Sequence, residues 1–169
     1  MRKLIIFGNS ASGKSTLAKH LSRKENLAHL DLDTLAWLDC LPPQRTPLNE
    51  CKIKIDSFIM QHNAWVIEGC YSDLLALVAS AANEVIFINL DIEACVENAK
   101  QRPWEAHKYA SKTAQDKNLA MLINWIRDYK TRVDEFSFHA HQKFYENFSG
   151  KKVQYVDRVD FNLLSNQSE

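Results

Sequence analysis

Residues 4–16 of the chain read Leu4-Ile5-Ile6-Phe7-Gly8-Asn9-Ser10-Ala11-Ser12-Gly13-Lys14-Ser15-Thr16. The apolar run at the start of this stretch is continuous, which is typical of a strand covered on both faces of a parallel sheet. Residues 8–16 match the pattern G-x-x-x-x-G-K-[ST], in which a loop surrounds the phosphates of a nucleotide. A helix with Leu17, Ala18 and Leu21 on one face is predicted to follow. A strand, this loop and a helix in that order predict a binding site for a nucleoside triphosphate.

Each part of the loop has a predicted chemical role. Gly8 and Gly13 allow backbone conformations that turn successive N–H groups towards an anion. Lys14 brings a positive charge to the β- and γ-phosphates, and the Ser15 hydroxyl can join the shell of Mg²⁺. The following helix points the positive end of its dipole at the same anion. We therefore predict that ATP and Mg²⁺ are bound by Gly8, Ser10, Ala11, Ser12, Gly13, Lys14, Ser15 and Thr16, with Lys14 also catalytic and Ser15 on the metal.

Two other classes of protein that use this loop are not supported by the sequence. A GTPase would normally carry Asn-Lys-x-Asp for guanine and Asp-x-x-Gly for its switch, and neither is present. A transport ATPase would carry a Ser-Gly-Gly signature, which is also absent.

The composition is that of an ordinary globular domain. The 169 residues include 21 Lys and Arg, 21 Asp and Glu, and 46% hydrophobic residues. A formal net charge of zero argues against a surface that binds nucleic acid or an anionic membrane. No apolar run approaches the roughly 20 residues that a membrane span needs. The four cysteines show no Cys-x-x-Cys spacing, so we expect reduced thiols and a cytoplasmic protein.

The rest of the chain alternates between strand and helix patterns. Apolar runs predict further strands at residues 28–30, 65–67, 85–88 and 153–156. Apolar stripes predict helices around residues 92–99, 119–126 and 138–148, with Gly150 as the C′ residue of the last one. This alternation predicts an α/β fold with a parallel five-stranded sheet. We expect one domain, residues 1–169.

Acidic residues follow several of the predicted strands, at Asp31, Asp33, Glu68, Asp91 and Asp157. The ligand crevice of an open α/β sheet lies outside the carboxyl ends of its strands, so several of these acids could face the loop. Asp91 is explained most simply as a helix N-cap and Asp157 as part of a surface turn. Asp31 and Asp33 are predicted to share one face of a strand end. Either one of them holds the waters of the metal while the other accepts a hydroxyl proton, or the two are an N-cap pair.

The unit that ends in Leu30-Asp31-Leu32-Asp33 resembles the shikimate kinase and nucleoside-monophosphate kinase group. Shikimate and gluconate kinases carry a comparable Asp-x-Asp, and the resemblance implies that Asp31 lies near Mg²⁺ and that catalytic Asp33 lies near the acceptor hydroxyl. Residues 65–71 resemble the third strand of adenylate kinase-like proteins and are also similar to bacterial P-loop proteins of the topology-modulation type. The resemblance implies a three-layer αβα P-loop NTPase fold. The chain departs from the group in a lid with few arginines and in Trp125, where monophosphate kinases often have an arginine.

Two segments are predicted to complete the site. A lid of about residues 100–115 should bring cations to the γ-phosphate, and we expect Arg102 to act in catalysis and Arg132 to bind the nucleotide. Trp104 could stack on a base or close the core. Residues 34–62 are expected to cover the acceptor; Arg45 there is either a ligand of an anionic acceptor or a surface residue, and Trp37 is interpreted as structural.

The sequence thus predicts a Mg²⁺- and ATP-dependent phosphotransferase that acts on a nucleotide, nucleoside or hydroxy-metabolite. Two alternatives remain open. One is an ATPase with a regulatory or nucleic-acid-related role, suggested by the basic residues between 100 and 132; the other is a nucleotide-binding module with negligible catalysis. The expected partner is a small-molecule phosphate acceptor, with no nucleic acid and no membrane, and the expected assembly is a monomer or a dimer.

Overall fold

The computed structural model describes residues 1–106 and 109–160. Its strands are β1 (Lys3–Gly8), β2 (Ala28–Asp31), β3 (Trp65–Gly69), β4 (Glu84–Ile88) and β5 (Lys151–Tyr155). Its helices are α1 (Lys14–Glu25), α2 (Asp33–Ala36), α3 (Leu48–Gln61), α4 (Ser72–Val78), α5 (Ile92–Lys100), α6 (Lys112–Arg127) and α7 (Phe138–Asn147). No helix within the described residues is both long and apolar enough to cross a membrane.

The strands form one parallel sheet in the order β2-β3-β1-β4-β5, which confirms the predicted α/β class and strand number. Strand β1 lies in the middle: the chain runs from it to the edge strand β2, returns to β3 beside β1, and then crosses to β4 on the other side. Ile5 of β1 aligns with Ile67 of β3 and with Val85 of β4. The loop that follows β1 therefore lies where the direction of strand addition reverses, which is the usual ligand position in such sheets.

Hydrophobic layers cover both faces of the sheet, as the continuous apolar run of β1 predicts. Ile5 and Phe7 pack into one cluster, whereas Leu4 and Ile6 pack into the other, and all are completely buried. The first cluster includes residues of α2, α3, α4 and α7, and the second includes residues of α1, α5 and α6. Burial of each such side chain contributes about 1.5–3 kcal/mol. The predicted three layers are confirmed, and they hold β1 and its loop from both sides.

The helix ends agree with the sequence analysis in one case and differ in another. The Asp91 carboxylate accepts a 3.0 Å hydrogen bond from the Glu93 backbone N–H, so its prediction as the N-cap of α5 is confirmed. The prediction of Gly150 as a left-handed C′ residue is wrong, because α7 ends at Asn147 and the backbone of Gly150 is not left-handed. A Cβ at Gly150 would lie 2.6 Å from the Phe148 ring and 2.7 Å from the Asn83 carbonyl oxygen. Close approach of the backbone explains this glycine.

Candidate active site

The loop between β1 and α1 has backbone conformations that its glycines make possible. Gly8 has φ 151° and Gly13 has φ 99°, both in a region that L side chains rarely adopt. A Cβ at Gly8 would in addition lie 2.3 Å from the carbonyl oxygen of Ile88. Ala11 has φ 58° without being glycine, which costs about 1–2 kcal/mol. A strained loop held by the surrounding structure is typical of a binding site.

Hydrogen bonds to two distant helices fix the loop. Asn9 donates to the carbonyl oxygen of Ile126 in α6 at 3.1 Å, and its own side-chain oxygen accepts from the Ser10 N–H. Asn98 of α5 donates to the Ala11 carbonyl oxygen at 2.9 Å. These two asparagines were not predicted from the sequence, because their partners are far away along the chain. They connect the loop to the helices on one face of the sheet.

Lys14 is the first residue of α1 and is 9% exposed. Its ammonium group donates a 2.8 Å hydrogen bond to the carbonyl oxygen of Asn9, across the loop. The first turn of α1 contains no acidic residue, so nothing in that turn neutralises the positive end of the helix dipole. The loop therefore presents a positive charge and free N–H groups to an anion.

An open cavity of about 1500 Å³ is lined by most of the predicted site residues, though not by Gly8, Asp31 or Arg132. Loop residues 10–16, Arg102 of the lid, Asp33 and residues 68–71 all line it. The part around Asp33 and Tyr71 is called the acceptor end below. The cavity lies at the carboxyl ends of the strands, so a triphosphate at the loop and an acceptor at Asp33 would share one space.

Asp33 is held in a fixed orientation by two aromatic side chains. The Tyr71 hydroxyl donates a 2.7 Å hydrogen bond to Oδ1 of Asp33 and accepts one of 2.9 Å from the indole N–H of Trp37. Burial, reinforced by neighbouring groups that include Asp33, raises the pKa of Tyr71 above its ordinary value, so the hydroxyl keeps its proton. A carboxylate positioned in this way at a cavity wall can accept a hydroxyl proton.

Asp31 and Asp33 do not share a strand face, because β2 ends at Asp31 and α2 begins at Asp33. Oδ1 of Asp31 accepts a 2.9 Å hydrogen bond from the Asp33 N–H, which forms an Asx turn in front of α2; the N-cap position itself is Leu32, so the two aspartates are not an N-cap pair. Leu32 between them is completely buried. Asp33 lines the cavity, whereas Asp31 is not among the cavity-lining residues in the described part of the chain. The predicted metal role of Asp31 stays a prediction.

Glu68 is a site residue to which the sequence analysis gave no role. It is 1% exposed, it lines the cavity, and its Oε1 has no hydrogen-bond partner among the described residues. Nε2 of His29 lies 3.6 Å from this oxygen, beyond hydrogen-bond distance. The sequence signal that could have identified Glu68 is its position directly after an apolar triplet, at the end of a predicted strand. A buried carboxylate oxygen beside a phosphate-binding loop is suited to a metal ion or its waters.

The lid is folded against α6 where the structure describes it; residues 107 and 108 of the predicted 100–115 lie outside that part. The side chain of Gln115 accepts from the Glu105 N–H at 2.8 Å and donates to the Pro103 carbonyl oxygen at 3.0 Å. Arg102 lines the cavity and forms an ion pair of 3.1 Å with Glu105. Trp104 is 48% exposed and also lines the cavity, so it does not close the core.

Arg132 and Arg45, the other two arginines considered in the sequence analysis, contact aromatic rings that line the cavity but do not line it themselves. Arg132 binds Asp134 through two nitrogens, and its guanidinium lies 3.4 Å from the centre of the Trp125 ring. Although burial opposes it, hydrogen bonding from Arg132 lowers the pKa of Asp134 below its ordinary value. Arg45 forms ion pairs of 2.9 Å with Asp73 and 2.6 Å with Glu135. Neither arginine is among the described residues that line the cavity.

The thiol at the acceptor end is not suited to nucleophilic chemistry. Cys70 lines the cavity, and burial raises its pKa to about 12. Because the thiolate is the nucleophilic form, Cys70 stays an unreactive thiol near neutral pH.

A buried histidine supports the same segment from behind. Nε2 of His141 lies 2.8 Å from the Cys70 carbonyl oxygen, and Nδ1 lies 2.7 Å from the Tyr129 hydroxyl. A carbonyl oxygen only accepts, so Nε2 carries the proton and Nδ1 accepts from Tyr129. Burial lowers the pKa of His141 to about 4. The folded protein therefore holds a neutral imidazole at this position.

This burial predicts acid sensitivity. The unfolded chain takes up a proton at His141 near pH 6.5, whereas the folded chain does so near pH 4. The free energy of unfolding should therefore fall as the pH drops through this window, by about 3 kcal/mol in total. Urea unfolding at a series of pH values between 7 and 4 measures this loss of stability. His141→Gln should unfold with a shallower pH dependence, and an unchanged dependence in that variant would contradict the assignment.

Comparison with known proteins finds similarity at the level of the fold. No protein-family model matches the chain, and no curated protein matches it in sequence. A sugar kinase from Janibacter sp. HTCC2649 has a similar structure, with a TM-score of 0.54 and 11% identity over 97% of this chain and 90% of that one. A shikimate kinase from Bacteroides thetaiotaomicron has a TM-score of 0.51 and 13% identity over 97% of this chain and 93% of that one. The chain has the fold of P-loop kinases, as its resemblance predicted.

Proposed function

We propose that the chain is a Mg²⁺- and ATP-dependent phosphotransferase whose acceptor is a small molecule with a hydroxyl group. The observation that carries the proposal is the shared cavity, because the phosphate-binding loop and Asp33 line the same space. A protein that only binds or hydrolyses a nucleotide does not need a second, oriented carboxylate such as Asp33 in the same cavity. The fold, which is that of P-loop kinases, supports the same conclusion.

The proposed roles follow from the positions of the side chains. Backbone N–H groups at the start of α1 and the Lys14 ammonium bind the β- and γ-phosphates. Arg102, at the lid side of the cavity, adds positive charge where the phosphoryl group moves. Asp33 orients the acceptor hydroxyl and accepts its proton, while Tyr71 holds the carboxylate in place. Most of the rate enhancement comes from positioning and charge stabilisation.

The residues present fit a magnesium ion. In proteins Mg²⁺ is usually held by one or two carboxylates together with substrate phosphates and waters. The described residues contain no cluster of three or more His, Cys, Asp or Glu side chains, so a site made by the protein alone is not expected there. The Ser15 hydroxyl and the buried Oε1 of Glu68, which has no hydrogen-bond partner among the described residues, would hold the ion or its waters, with Asp31 as a further candidate. The ion would neutralise charge on the transferred phosphate.

A cytoplasmic location belongs to the same proposal. All four cysteines are free thiols, and Cys51 and Cys95 are buried in the two hydrophobic layers. Free thiols that pack as small apolar side chains are typical of a reducing compartment.

An acceptor screen tests the phosphotransferase directly. The protein is incubated with Mg-ATP and one member of a panel of nucleosides, nucleotides, sugars, hydroxy acids and aromatic alcohols. At least one acceptor should raise ADP release about tenfold or more above the rate without acceptor, since a bound hydroxyl replaces water as the oriented nucleophile. Mass spectrometry of the product should show the phosphorylated acceptor.

Two outcomes would contradict the proposal. Steady ADP release that no acceptor increases would favour an ATPase, and salt-dependent binding to DNA or RNA would then indicate the nucleic-acid-related role. Nucleotide binding without any ADP release would favour a binding module. Heat-denatured protein and a reaction with EDTA in place of Mg²⁺ give the background rates.

A further inference from the structure

The acceptor end of the cavity is lined by aromatic rings. They are the side chains of Trp37, Tyr71, Trp125 and Phe136, named the aromatic wall below. Phe136 meets Tyr71 edge to face, with ring centres 5.3 Å apart, and meets Trp125 in the same way at 5.1 Å. Trp37, bonded to Tyr71 through its indole N–H, is 42% exposed. Rings that fix one another in this way form a rigid surface on which a planar molecule can stack.

The two arginines beside the aromatic wall are already paired within the protein. Arg45 is bound by Asp73 and Glu135, and Arg132 is bound by Asp134. These pairs contain three carboxylates for two guanidinium groups, so the described residues leave no positive charge over at these two positions. The described cationic residues that line the cavity belong instead to the loop, to α1, to the lid and to the segment after β5: Lys14, Lys19, Arg23, Lys24, Arg102 and Arg158. An anionic group on the acceptor would find no unpaired arginine at the aromatic wall.

A cationic acceptor is disfavoured by the same arginines. The guanidinium of Arg45 lies 5.7 Å from the ring centre of Trp37, 5.0 Å from that of Tyr71 and 5.2 Å from that of Phe136. Arg132 occupies a face of Trp125. The attraction of these rings for a cation is thus already satisfied from within the protein, and a second cation beside them would be repelled.

We propose that the acceptor is an uncharged alcohol that carries a planar ring, such as a nucleoside or an aromatic alcohol. Its ring stacks against Trp37 and Trp125 while its hydroxyl meets Asp33. This inference rests on the proposed phosphotransferase function and narrows its substrate class. It also separates this chain from shikimate and nucleoside-monophosphate acceptors, which are anions.

Ternary-complex binding tests the substrate class without relying on turnover. The full chain is saturated with Mg²⁺ and the non-hydrolysable analogue AMP-PNP, so that the loop end is filled. Adenosine, thymidine and pyridoxine are then titrated by calorimetry, beside AMP, TMP, pyridoxine phosphate and glucose. At least one of the first three should bind about tenfold more tightly than its own monophosphate and than glucose, because stacking contributes only where a flat ring is present. Comparing nucleosides with pyridoxine distinguishes the two sources of such a ring.

Variants of Trp37 connect the binding to the aromatic wall. Trp37→Leu should weaken binding of the best probe about tenfold, and Trp37→Phe, which keeps a ring, should recover most of that loss. Leu41→Ala is the matched control, since Leu41 is 94% exposed on the same segment and does not line the cavity among the described residues. Equal binding by all three variants would overturn the role of the ring.

The outcomes separate this inference from the proposed function. Binding of a neutral ring-bearing alcohol without ADP release on adding ATP would support the substrate class while contradicting the phosphotransferase. Acceptor-dependent ADP release with only anionic or ringless acceptors would overturn the substrate class while leaving the phosphotransferase intact. Absence of binding by all three ring-bearing alcohols would overturn the inference.

Discussion

Lys14→Ala should reduce ATP turnover by a factor of about 10² to 10³, the usual cost of removing one preorganised charge from a phosphoryl-transfer site. The ammonium group is held inside the loop by the carbonyl oxygen of Asn9, so its position is set before the nucleotide arrives. Lys14 is the only lysine or arginine in residues 8–16 of the sequence. The loss should appear mainly in kcat, because backbone N–H groups continue to bind the phosphates of the ground state. Coupled measurement of ADP release with the best acceptor gives kcat and KM.

Two further variants make this result interpretable. Lys14→Met keeps an aliphatic chain of similar length without the charge, and it should be as inactive as the alanine variant. Lys52→Ala is the matched control, because Lys52 is half exposed on α3 and forms only a surface pair with Asp56. The free energy of unfolding should change by less than about 1 kcal/mol in the control. Turnover in Lys14→Met that equals that of the control would refute the assigned role of the loop.

The fold could be predicted from the sequence because its deciding signals are local. The apolar run of β1, the glycine-containing loop and the stripe of α1 lie within one short stretch, and each reflects the conformational preferences of its own residues. The parallel sheet followed from the alternation of such signals along the chain. Gly150 was misinterpreted because its cause is not local. A side chain at this position would collide with Phe148 and with the Asn83 carbonyl oxygen, and the spacing of residues along the chain does not reveal these contacts.

The site was less predictable, because its specific features depend on contacts between distant segments. Arg45 pairs with Glu135, 90 positions further along the chain, and so leaves the cavity lining. Tyr71 orients Asp33 across 38 positions. Such pairs have no signature in a single sequence, whereas the acids at strand ends do. Strand-end acids therefore predicted the edge of the sheet at which the cavity lies, without indicating which side chains contact one another there.

Asp33→Asn should slow phosphoryl transfer to the best acceptor by about 10² to 10⁴, the range that a positioned general base contributes. Asparagine keeps the size of the side chain and can still accept a hydrogen bond from Tyr71, but it cannot take up the acceptor proton at neutral pH. Affinity for AMP-PNP should stay within about twofold, since Asp33 is the first residue of α2, bonded to Tyr71, and is not part of the phosphate-binding loop. Single-turnover measurement of phosphorylated acceptor separates the transfer step from product release.

Tyr71→Phe gives a graded version of the same loss. The variant keeps the ring of the aromatic wall and the Asp33 carboxylate but removes the 2.7 Å hydrogen bond that orients it. Transfer should fall about tenfold in kcat with little change in KM, because one neutral-to-charged hydrogen bond contributes about 1.5–3 kcal/mol, of which part is regained by water. Asp39→Asn, a change at an exposed acid outside the cavity lining, should leave transfer unchanged. If Asp33→Asn weakened AMP-PNP binding strongly while transfer from bound ATP remained intact, Asp33 would belong to nucleotide binding and not to the acceptor.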